Sequence, residues 1–211
     1  MDDSVAMVVR SSSAPIAITT VATPLGEILV ASAEAGVCTV TFDDRIESLE
    51  PRLRRRFGHF FHLEAGDPFA VEHRLQAYFG GQLRALEGIS LALAGTPMQS
   101  RVWEMLRALA PGELTTYAAL AERLGMPRAQ RAVGVCLASN PVPLFIPCHR
   151  VVAASGGLGS HPAGIPRKRW LLDHEGALDA RDTRAARSVR RRLRPRERSL
   201  LERGDLNPAA I

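Results

Sequence analysis

The chain has 211 residues, 46% hydrophobic and 23% charged, which is typical of one small globular protein or two fused units. No apolar run approaches the ~18 residues of a membrane span, and the acidic start is unlike a secretory signal. The three cysteines, 38, 136 and 148, form no Cys-x-x-Cys pair, which argues against a disulfide framework or zinc knuckle and favours a reducing compartment. The formal net charge is +5, but residues 179–211 carry ten arginines against five acidic residues, so any nucleic-acid contact elsewhere needs a local patch.

The first half of the chain predicts a small α+β unit. Three β-rich runs predict strands, at residues 16–21, 27–32 and 37–42. A Thr-Pro-Leu-Gly turn joins the first two runs as a hairpin. Residues 45–57 predict a charged surface helix, and residues 68–79 predict a second helix with Pro68 at its start and two glycines as a stop.

From Met98 the pattern becomes helical. Apolar residues recur on one helical face from Met98 to Leu109, and Pro111-Gly112 predicts the end of that helix. Residues 116–124 predict a short second helix, and residues 127–138 a third helix with Pro127 at its first position. Two short helices joined by a tight Gly-containing connection are typical of a helix-turn-helix, although many helical bundles share this pattern.

The third predicted helix has two unlike faces. Its apolar positions predict a buried stripe, made of Ala129, Ala132, Val133, Cys136 and Leu137. The opposite face, Pro127, Gly134, Val135 and Ala138, carries only one long side chain, Arg131. Such a small-residue face indicates that something bulky lies close to the backbone. It argues against a transcription regulator, since base readout in the major groove needs Asn, Gln, Arg or Lys.

Residues 140–152 contain the most unusual cysteine of the chain. Cys148 follows Pro147, which fixes the backbone and removes one N–H, and it precedes His149 and Arg150. This polar context fits a plain buried thiol poorly. The potential positive charges of His149 and Arg150 predict that the thiolate is favoured over the thiol.

The run Ile-Pro-Cys-His-Arg-Val-Val at residues 146–152 resembles the active-site signature of the O6-alkylguanine-DNA alkyltransferases, the methylated-DNA–protein-cysteine methyltransferases. The resemblance is close over residues 97–176 and loose over residues 16–95. It implies an α+β fold, with a small strand and helix supporting domain at 15–95. A helical, winged-helix-like domain bearing the helix-turn-helix and the active site is implied at 96–178.

The resemblance also implies the reaction and its catalytic residues. An alkyl group moves irreversibly and once only from O6-alkylguanine, and less efficiently from O4-alkylthymine, to Cys148, with no cofactor and no metal. His149 deprotonates the thiol through a water, Glu175 orients His149, and Asn140 braces the turn. Without the resemblance, His149 would be read as a surface histidine and Glu175 as a solvated charge.

The target base lies inside a duplex, so the resemblance implies base flipping. It assigns Arg131 to the vacated stack and Tyr117 to the 3′ phosphate and the flipped base, while the carbonyls of Cys148 and Val151 accept from the exocyclic amine. Further DNA contacts are expected on the third helix, at Arg128 and Gly134. By default Arg131 would be a surface arginine and Tyr117 a half-buried core aromatic.

One segment departs from the family pattern. His161 stands where a tyrosine is usual, and Pro162 stands where the next residue commonly offers a backbone N–H to the substrate oxygen. Proline has no N–H, so either Ala163 or His161 supplies the donor, or the loop lies differently. The departure bears on rate and on preference among alkyl groups, and it leaves the nucleophile in place.

The remaining expectations concern partners and rival functions. We expect a cytoplasmic monomer that acts on double-stranded DNA of the nucleoid and does not bind membranes. Residues 1–14 are read as a disordered lead-in and residues 179–211 as a flexible basic tail. The main alternative is an alkyltransferase-like protein that binds the lesion with weak or no transfer, although such proteins lack the cysteine. A Cys-His-Glu thiol hydrolase is a second alternative, which turnover would distinguish.

Overall fold

A computed structural model describes residues 14–42, 47, 49–58, 61–154 and 157–178. The predicted tail and all but the last residue of the predicted lead-in lie outside these residues. Within them, no helix has the length and apolarity that crossing a membrane requires. The elements of the first half are β1 Ala14–Thr23, β2 Gly26–Ala33, β3 Gly36–Thr41, α1 Glu50–Phe57, β4 Phe61–Ala65 and α2 Val71–Phe79.

The strands of the first half form one four-stranded sheet in the order β3-β2-β1-β4. The predicted hairpin is confirmed: β1 and β2 are antiparallel, with Thr23 opposite Gly26. The sequence analysis missed β4, which pairs in parallel with β1 from Ala14 opposite Phe61. All but the first of its five residues are exposed, so this edge strand lacks the alternating burial that marks a strand in sequence.

The predicted helix starts in the first half were too early. The first helix begins at Glu50 rather than residue 45, and Leu53 is buried in what was expected to be a surface helix. Pro68 does not open α2, because the carboxylate of Asp67 accepts the N–H groups of Val71 and Glu72 and starts the helix at Val71.

The second half is helical, as predicted. Its elements are α3 Pro97–Arg107, β5 Thr115–Thr116, α4 Tyr117–Arg123, α5 Gln130–Ala138, a one-turn 3-10 helix Cys148–Arg150, β6 Val151–Val152 and α6 Ile165–His174. Pro127 lies in the turn before α5 rather than at its first position, so the helix begins three residues later than predicted. The parallel pairing of β5 with β6 places Thr116 opposite Val152, which brings the start of α4 beside the cysteine turn.

One hydrophobic core joins the two halves. It contains Val30 and Tyr78 from the first half together with Val102, Leu120 and Cys148 from the second. The result is an α+β molecule whose N-terminal sheet and C-terminal helices share a core, in agreement with the predicted fold class. Side chains of the first half can therefore reach the cysteine turn.

Candidate active site

The turn that carries Cys148 is held by hydrogen bonds from the side chain of Asn140 to its backbone. Asn140 spans it: its Nδ2 donates to the carbonyl of Ile146 at 2.9 Å, and its Oδ1 accepts the N–H of Val142 at 3.0 Å. Leu144, also in the turn, has φ +79°, which is strained for a side chain of this kind. Both Asn140 and Leu144 are buried, so the surrounding structure holds this conformation. Asn140 thus occupies the bracing position expected of it.

Cys148 is enclosed, with 1% of its surface exposed. Burial raises the pKa of its thiol from 9.0 to about 11, although a hydrogen bond from Asn140 and the charge of Lys168 oppose that rise. The prediction that His149 and Arg150 favour the thiolate was therefore wrong. The physical reason is that both side chains are turned to another partner, the carboxylate of Glu175.

Glu175, just after α6, collects hydrogen bonds from both halves of the molecule. His149 Nε2 lies 2.9 Å from its Oε1. Arg150 binds it through two nitrogens, Nε to Oε2 at 2.8 Å and Nη2 to Oε1 at 2.7 Å. The hydroxyl of Tyr78 donates to Oε1 at 2.8 Å, and the N–H of Gly112 lies 3.4 Å from Oε2. We refer to Glu175, His149, Arg150 and Tyr78 as the carboxylate network.

The carboxylate network fixes the charge states of its members. Burial alone would raise the pKa of Glu175, but the hydrogen bonds of His149 and Arg150 and the charge of Arg150 outweigh burial and hold that pKa well below its usual value. Burial lowers the pKa of His149, although Glu175 opposes the shift. His149 is therefore neutral near pH 7. Because an ionised carboxylate only accepts hydrogen bonds, the proton of His149 lies on Nε2 and its Nδ1 is an unprotonated base.

Nδ1 of His149 is buried and has no hydrogen-bond partner among the described residues. A neutral imidazole whose proton is held by a carboxylate, and whose other nitrogen is unused, is an arrangement suited to removing a proton. His149 directly follows Cys148 in the 3-10 turn. The structure thus brings together the four residues that the sequence analysis named for the chemistry: Asn140, Cys148, His149 and Glu175.

The sequence analysis missed three side chains of this site. Tyr78 lies on α2 in the first half, and His174 Nε2 donates to its carbonyl at 2.8 Å. Arg150 was read as a nearby charge rather than as a clamp on Glu175. Lys168 is fully buried, and burial lowers its pKa to about 8, while Cys148 opposes the shift. Lys168 could have been recognised in the sequence as a charged residue at an inward-facing position of a helix.

Lys168 ties α6 to both sides of the cysteine turn. Its Nζ donates to the carbonyl of Val151 at 2.6 Å and to that of Ser160 at 3.3 Å. The Val151 carbonyl, which the sequence analysis assigned to the exocyclic amine of guanine, therefore already accepts one hydrogen bond. A carbonyl oxygen has two lone pairs, so one remains.

A cavity of about 110 Å³ adjoins Cys148. Its wall is made of Leu137, Ala138, Cys148, Ser160, His161 and Pro162. The residues that depart from the family pattern thus lie in the wall beside the thiol. The N–H of Ala163 donates to Nδ1 of His161 at 3.2 Å, and the ring of His161 stands edge-on to that of His149, with 6.4 Å between centroids.

The expected DNA-facing residues lie on the outside of this cavity. Tyr117 is half-buried between Gly134 of α5 and Gly159, and a Cβ added at Gly159 would come within 2.7 Å of the tyrosine hydroxyl.

The face of α5 that was predicted to be bare is open to solvent. It carries exposed Arg131 and Val135, the latter 66% exposed, and Arg128 is exposed in the turn before the helix. The predicted buried stripe of α5 is confirmed at Val133, Cys136 and Leu137.

Known proteins match both halves of the chain. The family model for the 6-O-methylguanine DNA methyltransferase DNA binding domain matches residues 97–177, and that for the ribonuclease-like domain of the same proteins matches residues 16–93. The methylated-DNA–protein-cysteine methyltransferase of Salmonella typhimurium is 35% identical over 161 residues, which cover 75% of this chain and 94% of that protein. Its namesake in Mycobacterium bovis is 44% identical over 102 residues, which cover 48% of this chain and 61% of that protein.

A solved structure agrees with these matches. Mycobacterium tuberculosis OGT in complex with DNA superposes with a TM-score of 0.64 and 30% identity, over 76% of this chain and 92% of that one. Sequence, fold and site together establish that the chain belongs to the methylated-DNA–protein-cysteine methyltransferase family.

Proposed function

We propose that this protein repairs DNA by moving the alkyl group of O6-alkylguanine, and more slowly of O4-alkylthymine, to Sγ of Cys148. The observation that carries the proposal is that Cys148 lines a cavity and directly precedes a neutral histidine held by Glu175. The relatives are named as methyltransferases that act on a protein cysteine, and this chain has such a cysteine. This favours transfer over lesion binding alone.

The chemistry is a displacement at carbon. His149 takes the thiol proton through Nδ1, the sulfur attacks the alkyl carbon, and the carbon–oxygen bond breaks with its electron pair moving to the base. Since the resting pKa of Cys148 is about 11, the thiolate is made when substrate is present rather than stored beforehand. The product is a thioether that water does not cleave, so each molecule acts once.

The exposed side of α4 and α5 supports the DNA-binding part of the proposal. Gly134 and the other small residues of the α5 face let a duplex approach the helix closely, and Arg128 and Arg131 are open to solvent beside it. We assign Arg131 to the space left by the flipped nucleotide and Tyr117 to the phosphate and the base in transit. A relative with the same fold has been solved in complex with DNA, which supports DNA binding by this chain.

The same proposal extends to organisation and location. We assign residues 15–95 to support of the site and residues 96–178 to chemistry and DNA binding. A single-use thiol is best preserved in a reducing compartment, and the described cysteines are all free, so we propose a cytoplasmic monomer that acts on nucleoid DNA.

Mass spectrometry after incubation with an O6-methylguanine duplex tests the proposal. We expect a mass gain of one methylene unit on the peptide containing Cys148, one equivalent per molecule, and no further turnover. Cys148→Ala should bind the methylated duplex and gain no mass, while Cys136→Ala, which changes a buried thiol on α5, should still be methylated. Methyl groups on any other residue, or continued turnover, would refute the assignment.

A further inference from the structure

The departing base requires a hydrogen-bond donor, and the cavity wall limits which group can supply it. As the carbon–oxygen bond breaks, negative charge develops on O6 of guanine, and a fixed donor at that oxygen lowers the barrier. The inference drawn from this requirement rests on the proposed function. Cys148 lies at one side of the cavity, so the donor must come from the remaining wall.

The backbone at Pro162 and Ala163 does not provide the donor. Pro162 lines the cavity and has no N–H. The N–H of Ala163 is already directed to Nδ1 of His161 at 3.2 Å. Of the two ways to replace the missing backbone donor that the sequence left open, Ala163 is therefore excluded by the geometry.

The same hydrogen bond defines the tautomer of His161. Since Nδ1 accepts a hydrogen bond from the backbone N–H of Ala163, the hydrogen of the neutral ring must lie on Nε2. Burial, with the positive charge of Lys168 nearby, outweighs a backbone hydrogen bond with Gly164 and lowers the pKa of His161 well below its ordinary value, which keeps the ring neutral. His161 therefore presents a permanent N–H donor at Nε2.

That donor is buried in the free protein and is not used in a hydrogen bond with any described residue. Nε2 of His161 has no hydrogen-bond partner among the described residues, although it is shielded from solvent. Leaving a buried donor unpaired costs about 1–3 kcal/mol, so such groups are rare unless a ligand completes them. His161 lines the cavity beside Cys148, where a base would lie.

We propose that the Nε2–H of His161 donates a hydrogen bond to O6 of the departing guanine and stabilises the charge that forms there. The sulfur–carbon bond forms as the carbon–oxygen bond breaks, and the electron pair passes to O6 and is shared with N1 of the base. The proton released by Cys148 passes to His149 and reaches N1 of guanine through solvent. His161 keeps its own proton throughout, so the reaction balances without any co-reactant.

Ser160 is the competing donor in the cavity wall. Its hydroxyl belongs to an exposed residue, and its carbonyl, rather than its side chain, is held by Lys168. An exposed hydroxyl is solvated and free to rotate, so it is poorly prepared to stabilise charge. Ser160→Ala therefore serves as the test of this competitor.

Two substitutions distinguish the acceptor role of Nδ1 of His161 from the donor role of its Nε2. Asparagine places an amide oxygen near the Nδ1 position, so His161→Asn keeps the acceptor for Ala163 but ends short of Nε2. Glutamine places an amide nitrogen near Nε2, so His161→Gln keeps the donor. We expect single-turnover transfer from an O6-methylguanine duplex to fall about a hundredfold in His161→Asn, and to stay much closer to native in His161→Gln. His73→Asn, at an exposed histidine of α2, is the matched control.

Methyl iodide distinguishes a donor from a residue that merely shapes the site. Its leaving group, iodide, needs no hydrogen bond, so alkylation of Cys148 by methyl iodide should proceed at the native rate in His161→Asn. Equal slowing of both reactions would mean that His161 acts on the thiol and would overturn the proposal. So would native transfer rates in His161→Asn, or a large loss in Ser160→Ala alone. Failure of the native protein to transfer any methyl group would instead overturn the proposed function.

Discussion

The carboxylate network and the loop around His161 are built on opposite principles, although both border Cys148. In the network, the side chains of three residues and a backbone N–H converge on Glu175, and the carboxylate is fully buried. In the loop, Pro162 is exposed and Nε2 of His161 has no partner among the described residues. The carboxylate of Glu175 thus has its hydrogen-bonding capacity filled, whereas two ring nitrogens near Cys148, Nδ1 of His149 and Nε2 of His161, have no partner among the described residues.

The carboxylate network and the loop around His161 therefore contribute differently to stability and to function. A buried charge is tolerated only when its hydrogen-bonding capacity is filled, so each member of the network depends on the others. An unfilled donor in the loop is a stability cost that only substrate can offset. Substitutions in the network should therefore affect folding and chemistry together, whereas substitutions in the loop should affect chemistry alone.

Removing the carboxylate of Glu175 should have the largest effect on stability. Glu175→Ala leaves Arg150 buried with its charge uncompensated, and we expect the free energy of unfolding to fall by about 3–5 kcal/mol. Denaturant unfolding measures the change. Glu34→Ala, at an exposed position between β2 and β3, is the control and should change stability little. A Glu175→Ala protein as stable as His161→Asn would contradict the distinction drawn between network and loop.

The pH dependence of Cys148 alkylation tests whether the thiol is protonated in the free protein. Because its pKa is raised to about 11, the thiol of Cys148 should still be mostly protonated at pH 9, where an ordinary thiol is half ionised. A rise of the pKa from 9.0 to about 11 corresponds to roughly a hundredfold less thiolate near neutral pH, or about 3 kcal/mol. Lys168 loses its proton near pH 8 and so ceases to help the thiolate over part of this range.

The measurement is the rate of methyl iodide alkylation of the Cys148 peptide, in the folded protein and in denaturant. The alkylation rate of the denatured chain should reach half its maximum near pH 9, and that of the folded chain near pH 11. A folded protein whose alkylation rate is already constant above pH 7 would mean that the thiolate is preformed, as the sequence alone suggested.

The smallest expected effect comes from the hydroxyl of Tyr78. Tyr78→Phe removes one donor to Glu175 while His149 and Arg150 remain, so we expect about 2 kcal/mol of destabilisation. Methyl transfer should slow as well, because Glu175 would orient His149 less firmly. Phe79→Leu, at the neighbouring half-buried position, is the packing control and should leave transfer per folded molecule unchanged. Native transfer and native stability in Tyr78→Phe would place Tyr78 outside the network.

Features that depend on neighbouring residues could be predicted from the sequence. The β1–β2 hairpin and the two helices of the helix-turn-helix follow from turn residues and hydrophobic period, and both are present. Helix starts were less predictable, since Asp67 caps α2 from a position where the sequence suggested that proline would open it. A cap is decided by side-chain geometry rather than by residue type alone.

Features that depend on distant residues could not be predicted in this way. Tyr78 meets Glu175 across 97 residues of chain, and nothing near either residue in sequence indicates the other. The thiol pKa was predicted in the wrong direction because Arg150 and His149 were counted as charges near Cys148 in sequence. In space, Glu175 neutralises their effect, and burial decides the outcome.

The contact of Tyr78 with Glu175 also limits how the molecule can be divided. The segment from residue 96 onward contains Cys148, His149 and α5, yet one donor to the carboxylate of Glu175 comes from α2. A truncated segment, or a chimera joined to a foreign N-terminal unit, would have a carboxylate short of one donor. A C-terminal segment moved into another protein would therefore need a partner that supplies a hydroxyl at the position of the Tyr78 hydroxyl, within hydrogen-bond distance of Oε1 of Glu175.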